Sequence, residues 1–132
     1  MTTELIANMA VKIGGGCMCG AVRYDTVGEP LYVGHCHCNS CRRHTGAAVA
    51  TLAIFQADKV HFSQSDRSIY TSSPGVGRGF CNQCGTTLTW EGKEKISIHI
   101  STFDDPNILI PERHWWYSQK ISWFDTKDDL PR

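Results

Sequence analysis

The sequence predicts a mainly β domain of short antiparallel strands. Segments rich in β-branched and aromatic residues recur at short intervals, and several alternate apolar with polar positions. Turn-forming residues punctuate the gaps, as in Gly28-Glu29-Pro30, Ser72-Ser73-Pro74-Gly75 and Asp104-Asp105-Pro106-Asn107. The sequence offers no amphipathic helical pattern of ten or more residues.

Taken in order, residues 1–12 read as a lead-in, either a tail or a short strand. Gly14-Gly15-Gly16 follows, and three glycines permit the positive φ and close backbone approach of a metal knuckle. Strand-like segments are Ala21–Tyr24, Leu31–Gly34, Ala47–Phe55, Val60–Phe62, Ser68–Thr71, Arg78–Phe80, Thr86–Trp90, Ile96–Ser101 and Trp115–Tyr117. In Ile96-Ser97-Ile98-His99-Ile100-Ser101 the isoleucines take one face and polar groups the other. One helical turn is expected over Asn39–Gly46. No repeat, low-complexity run or linker divides the chain, so residues 13–126 read as one domain and 127–132 as a tail.

At 132 residues the chain can bury a core of its own. A hydrophobic share of 41%, with four Trp and five Phe, is that of a globular chain. Thirteen basic residues balance thirteen acidic ones, which argues against a broad nucleic-acid or anionic-membrane surface. No apolar stretch approaches the length of a membrane span. Met1–Ala10 lacks the basic and apolar regions of a signal peptide. The expected location is the reducing cytoplasm, where thiols serve as metal ligands and not as disulfides.

The seven cysteines fall in three knots: Cys17-Met18-Cys19, Cys36-His37-Cys38-Asn39-Ser40-Cys41 and Cys81-Asn82-Gln83-Cys84. Thiols one or two residues apart can point at one ion. Four thiolates close a tetrahedral zinc site, and three leave one position free. Seven therefore reads as four plus three, or two zinc ions per chain.

Cys17, Cys19, Cys81 and Cys84, each pair beside glycine, make the natural structural set. Pairing Cys17/Cys19 with Cys36/Cys38 is an alternative that spacing leaves open. Cys36, Cys38 and Cys41 then need a fourth ligand. In an extended Cys-x-Cys the flanking side chains point away, which disfavours His35 and His37 and leaves His44 as the histidine that could close the site. Otherwise the position is open to water or an incoming thiol. Three thiolates on Zn²⁺ leave a net negative complex, poor at making hydroxide but suited to a soft sulfur ligand. Thiol chemistry is the expectation.

The stretches Gly15–Tyr24, Cys36–Ala47 and Phe80–Thr86, with Asp104-Asp105-Pro106 and the closing His114…Lys120-Ile121-Ser122-Trp123, resemble the glutathione-dependent formaldehyde-activating enzyme family, which includes centromere protein V. The resemblance runs from about Ile13 to Trp123, and all seven cysteines fit in order and spacing. It implies an Mss4-like fold, a structural zinc on Cys17, Cys19, Cys81 and Cys84, and a catalytic zinc on Cys36, Cys38 and Cys41. It also implies a carbon–sulfur lyase that joins formaldehyde to glutathione, giving S-hydroxymethylglutathione. The chain is shorter than the enzyme that names the family, so flanking segments that help bind glutathione are reduced.

On this reading the partners are a small thiol, glutathione-like, and an aldehyde. Arg42 and Arg43 are candidates for substrate carboxylates, since a guanidinium pairs a carboxylate bidentately. His37 is the candidate proton carrier. Lys120 and Trp123, in the family's end motif, are candidate substrate contacts. Trp115, Trp116, Tyr117, Trp123 and Phe124 form an aromatic cluster that packs the core or lines a pocket. His61, His99 and His114 read as structural. Two further readings are a non-catalytic zinc module for a protein or nucleic-acid partner, and a metal store or redox sensor.

Overall fold

The structure, a computed structural model, describes residues 12–132. The lead-in expected over residues 1–12 lies outside the described residues, apart from Lys12. Among the described residues there are ten strands: β1 (Lys12–Gly16), β2 (Val22–Val27), β3 (Tyr32–Cys36), β4 (Ala50–Gln56), β5 (Val60–Gln64), β6 (Ser68–Ser73), β7 (Val76–Phe80), β8 (Thr87–Glu91), β9 (Lys95–His99) and β10 (His114–Trp115). One α-helix, α1 (Asn39–Thr45), follows β3. The mainly β expectation holds, and β2 to β10 each overlap an expected segment.

The strands form two sheets. The smaller runs β1-β2-β5, and the larger β10-β3-β4-β9-β8-β7-β6. Every pair is antiparallel except β10 with β3, where His114 stands opposite His35 and Trp115 opposite Cys36. The main core packs Val22, Tyr24 and Val60 of the small sheet with Val33, Phe55, Leu88, Ile96 and Ile98 of the large one. A second, smaller cluster of Cys36, Cys41, Ala50 and Leu52, flanked by Trp115, lies apart from it. Alternation separates the two: Ala53 and Phe55 of β4 belong to the main core, whereas Leu52 belongs to the smaller cluster.

Two local expectations are corrected. The glycine triplet is not a knuckle but strand β1, paired residue for residue with Arg23–Asp25. Gly15 is required there because a Cβ would meet the Tyr24 ring at 2.6 Å. Strand β9 ends at His99, and Ile100–Thr102 turns as a 3₁₀ helix. The polar groups of β9 take the other face as expected, and Ser97 and His99 there are as buried as the isoleucines. Elements on both faces of the large sheet are the reason.

Candidate metal centres and pocket

Two turns build the first centre. After β1 the chain turns through Cys17–Gly20, where Gly20 donates to the Cys17 carbonyl at 3.2 Å and has φ 81°. After β7 it repeats the turn through Cys81–Gly85, where Gly85 donates to the Cys81 carbonyl at 2.8 Å and has φ 80°. A positive φ is why glycine follows each cysteine pair. Thr86 joins the turns. Its Oγ1 accepts from the Met18 amide at 3.0 Å and lies 3.1 Å from Cys84 Sγ.

This brings the sulfurs of Cys17, Cys19, Cys81 and Cys84 within 4.8 Å of one another. Cys17 and Cys19 stand 3.6 Å apart, and Cys19 and Cys81 3.8 Å. Four sulfurs at the usual zinc–sulfur distance of about 2.3 Å stand about 3.8 Å apart in a tetrahedron, so the donor set fits zinc. Backbone amides of Val22 and Gln83 donate to Cys17 and Cys81 at 3.2 and 3.4 Å, as anionic sulfur requires. The Thr86 hydroxyl draws the Cys84 thiol down to about 5, which favours the thiolate.

The second centre sits where β3 passes into α1. Cys36 closes the strand, Cys38 is the N-cap of the helix and Cys41 lies in its first turn. Cys38 Sγ accepts from the Cys41 amide at 3.2 Å, so sulfur fills the capping role usually taken by oxygen. Gly46, at φ 68°, ends the helix by donating to the Arg42 carbonyl at 2.8 Å. The three sulfurs lie within 4.8 Å of one another, a donor set for one ion. The alternative pairing of the first two knots is not formed.

Arg78, which sequence reasoning missed, completes this centre. It is buried, donates from Nη1 to Cys41 Sγ at 3.3 Å, and is held by Ser72 Oγ at 3.2 Å from Nε. A hydrogen bond from the Cys36 thiol, with the Arg78 guanidinium beside it, holds Cys41 down to about 5. Cys36 is pushed up by that same bond and by burial. One weak signal for Arg78 was present: a lone arginine between glycines in a strand.

A pocket of about 460 Å³ opens over these sulfurs. Its floor is a row across four strands: Ile54, Ser97, Trp90 and Arg78 stand opposite one another in register. Trp115, Trp116 and Gln119 form a wall. Gln119 accepts from the Asn39 amide at 3.1 Å, which ties the wall to α1. Gly34 lets Trp115 close in, because a Cβ there would lie 2.9 Å from its ring.

The remaining sequence candidates lie elsewhere. His37 is fully buried and does not line the pocket. Its Nε2 lies 2.8 Å from Nδ1 of His114, whose Nε2 lies 3.1 Å from Asp128. Burial lowers its pKa. His44 belongs to neither sulfur cluster, and its ring meets His99 edge-on at 5.6 Å. Arg42, Arg43 and Trp123 share a separate cleft of about 310 Å³ on α1. Lys120 turns back onto the carbonyls of Ile121 and Phe124 at 3.1 and 3.4 Å. No helix among the described residues is long and apolar enough to cross a membrane.

Comparison with known proteins places this arrangement. A protein of Halomonas elongata, described as a candidate glutathione-dependent formaldehyde-activating enzyme, is 29% identical over 126 residues, covering 84% of this chain and 78% of its own. An uncharacterised lyase of Schizosaccharomyces pombe is 31% identical over 74 residues, or 56% of this chain. The alignment spans 53% of that yeast protein, about half its length. A crystal structure of a Rhodobacter sphaeroides protein superposes with a TM-score of 0.60 at 21% identity, over 74% of this chain and 97% of that one, which shows the fold alone. The family model described as glutathione-dependent formaldehyde-activating enzyme matches residues 12–119. From β1 to the pocket wall at Gln119, the chain belongs to the glutathione-dependent formaldehyde-activating enzyme family.

Proposed function

We propose that the protein is a carbon–sulfur lyase with two zinc ions, joining a small aldehyde to a thiol. The observation that carries this reading is the convergence of three sulfurs beneath a tryptophan-lined pocket. The family description names glutathione and formaldehyde, so this pair is the first to test. Seven free cysteines suit a reducing compartment, and we assign the protein to the cytoplasm.

Cys17, Cys19, Cys81 and Cys84 would hold the structural ion, pinning the β1–β2 turn to the β7–β8 turn. Cys36, Cys38 and Cys41 would hold the second. An ion held there would be suited to binding the soft sulfur of a thiol. Arg78 offsets the charge of the three thiolates and fixes Cys41. The tryptophan wall excludes water while aldehyde and thiol are held together, replacing a bimolecular encounter. The thiol sulfur forms a bond to the carbonyl carbon. The carbonyl oxygen becomes a hydroxyl, taking up the proton that the thiol gives up.

We assign His37 to holding the Cys36–Cys38 segment against β10 and not to carrying that proton, because its ring is sealed against His114. Arg42, Arg43 and Trp123 would contact only a part of the substrate that reaches past α1, and Lys120 would support that cleft.

The test is zinc stoichiometry together with adduct formation followed by NMR. The expected result is about two zincs per chain and a rate above the uncatalysed one. Cys38→Ser should keep the fold and one zinc while losing activity. Full activity in that variant would overturn the proposal. The second reading, a docking module, draws on the Arg42/Arg43 cleft and the exposed Trp123. It gains if zinc is bound but no aldehyde–thiol pair reacts.

A further inference from the structure

The pocket over Cys36, Cys38 and Cys41 has a chemical character that narrows its substrate. Among the described residues lining it, Arg78 is the one charged side chain apart from the three cysteines. Two of its five N–H groups are engaged, one by Cys41 and one by Ser72. The rest of the surface is Trp90, Trp115 and Trp116 with Leu52, Ile54 and Val76. The neutral polar groups left are the hydroxyls of Ser40, Ser73 and Ser97 and the amide of Gln119, which is already accepting from Asn39.

Glutathione carries two carboxylates and an ammonium. Three charged groups moved from water into such a pocket lose hydration and find little to replace it, since Arg78 and the cysteine sulfurs already face each other. The paired arginines that suit carboxylates, Arg42 and Arg43, open into the other cleft on α1. An aromatic ring, by contrast, finds three indoles to pack against in offset or edge-on contact. Trp116 adds an independent sign. It holds φ at 55°, a left-handed conformation that is strained for an aromatic residue, and stays 64% exposed at the pocket. Strain of this kind persists where surrounding structure enforces it, and it clusters at ligand clamps. Here the enforcing contacts are the Gln119 amide on the Trp116 carbonyl at 3.0 Å and the Gln119 side chain on α1.

We infer that the thiol this pocket takes carries an apolar, aromatic-sized substituent and is preferred over glutathione. The inference rests on the lyase reading for its chemistry, but on the pocket alone for its binding. The pocket of about 460 Å³ has room for an arylmethyl thiol together with a small aldehyde.

The experiment uses the zinc-loaded full chain. Adduct formation with formaldehyde is followed by NMR for phenylmethanethiol and for glutathione at equal concentration. Binding of each thiol without aldehyde is read by quenching of tryptophan fluorescence. The expected result is a kcat/KM for phenylmethanethiol at least about tenfold above that for glutathione, with tighter binding in the same order. Trp116→Ala should remove most of that margin, lowering kcat/KM for phenylmethanethiol by a larger factor than that for glutathione. Equal values, or a margin in favour of glutathione, would overturn the inference while leaving the lyase reading standing. Tighter binding of phenylmethanethiol with no turnover of either thiol would support the pocket assignment and overturn the lyase reading.

Discussion

Arg78 of β7, four strands from β3 in the sheet order, donates to Cys41 Sγ at 3.3 Å, placing a buried positive charge against the three-sulfur cluster. With a divalent ion bound, three thiolates would carry a net negative charge, and the guanidinium would bring the assembly towards neutrality. A charge buried in this way is retained only where it is paired.

Replacing that guanidinium tests its part. Arg78→Met should weaken zinc at Cys36/Cys38/Cys41 by about 10–100-fold, as expected when a group orienting a metal ligand is lost. The other zinc should keep its affinity. Competition with a chromophoric chelator reads both sites. Equal weakening at the two sites would mean that the variant has merely loosened the sheet.

Thr86 makes the reciprocal case. One hydroxyl accepts from Met18 and contacts Cys84, so it couples the two turns of the first centre. Thr86→Val keeps the shape and loses both contacts. The first zinc should then be released at about 10–100-fold lower chelator concentration. Unfolding should follow that release, since an ion on these four sulfurs would cross-link segments more than sixty residues apart in sequence. An unchanged midpoint in chelator would remove Thr86 from the account.

Gly34 is a packing test of the pocket wall. A methyl group there would lie 2.9 Å from the Trp115 ring and 3.0 Å from the Arg113 carbonyl. Gly34→Ala should cost about 1–3 kcal/mol by overpacking. It should also shift tryptophan emission, because Trp115 must move out. A variant as stable as the parent, with unchanged emission, would show that the wall yields without strain.

The buried His99 sets a pH dependence. Burial, with the charges of His44 and Arg78 added, lowers its pKa from 6.5 to about 3. The folded chain therefore keeps His99 neutral while the unfolded chain binds a proton below about pH 6.5. Its stability contribution is fully present above that pH and is lost as the pH falls towards 3. The slope is at most about 1.4 kcal/mol per pH unit. His37 and His44 are shifted the same way. Thermal melts from pH 8 to 5.5 should show a falling midpoint, with a shallower fall in His99→Gln. Parallel curves would assign the acid loss to zinc release instead.

Much of the site was legible because its chemistry is local. Cys17 and Cys19, Cys81 and Cys84, and Cys36 to Cys41 each lie within one turn, so spacing marked all three knots as ligand sets while leaving their pairing open. The single helical turn was legible for the same reason, since Cys38 caps it and Gly46 ends it. The strand of three glycines was misread because their need is tertiary. Gly15 answers to Tyr24 across the sheet and not to the turn that follows.

His37 was the harder residue. It lies between two metal-type cysteines, and adjacency suggested a role beside them. Strand alternation turns it to the opposite side, into the stack with His114 and Asp128. Arg42 and Arg43 follow Cys41 directly, but the helix carries them round to another cleft.

The sequence by itself determined the β class, the family and the four-plus-three division of the cysteines, because strand periodicity and ligand spacing are short-range properties. The tertiary structure alone decided which knots share an ion, that Arg78 faces Cys41, and that the space above is walled by tryptophan. Those relationships join β7, β8, β9, β10 and α1 across the large sheet, and cross-strand register is set by the packed core and not by neighbours in the chain.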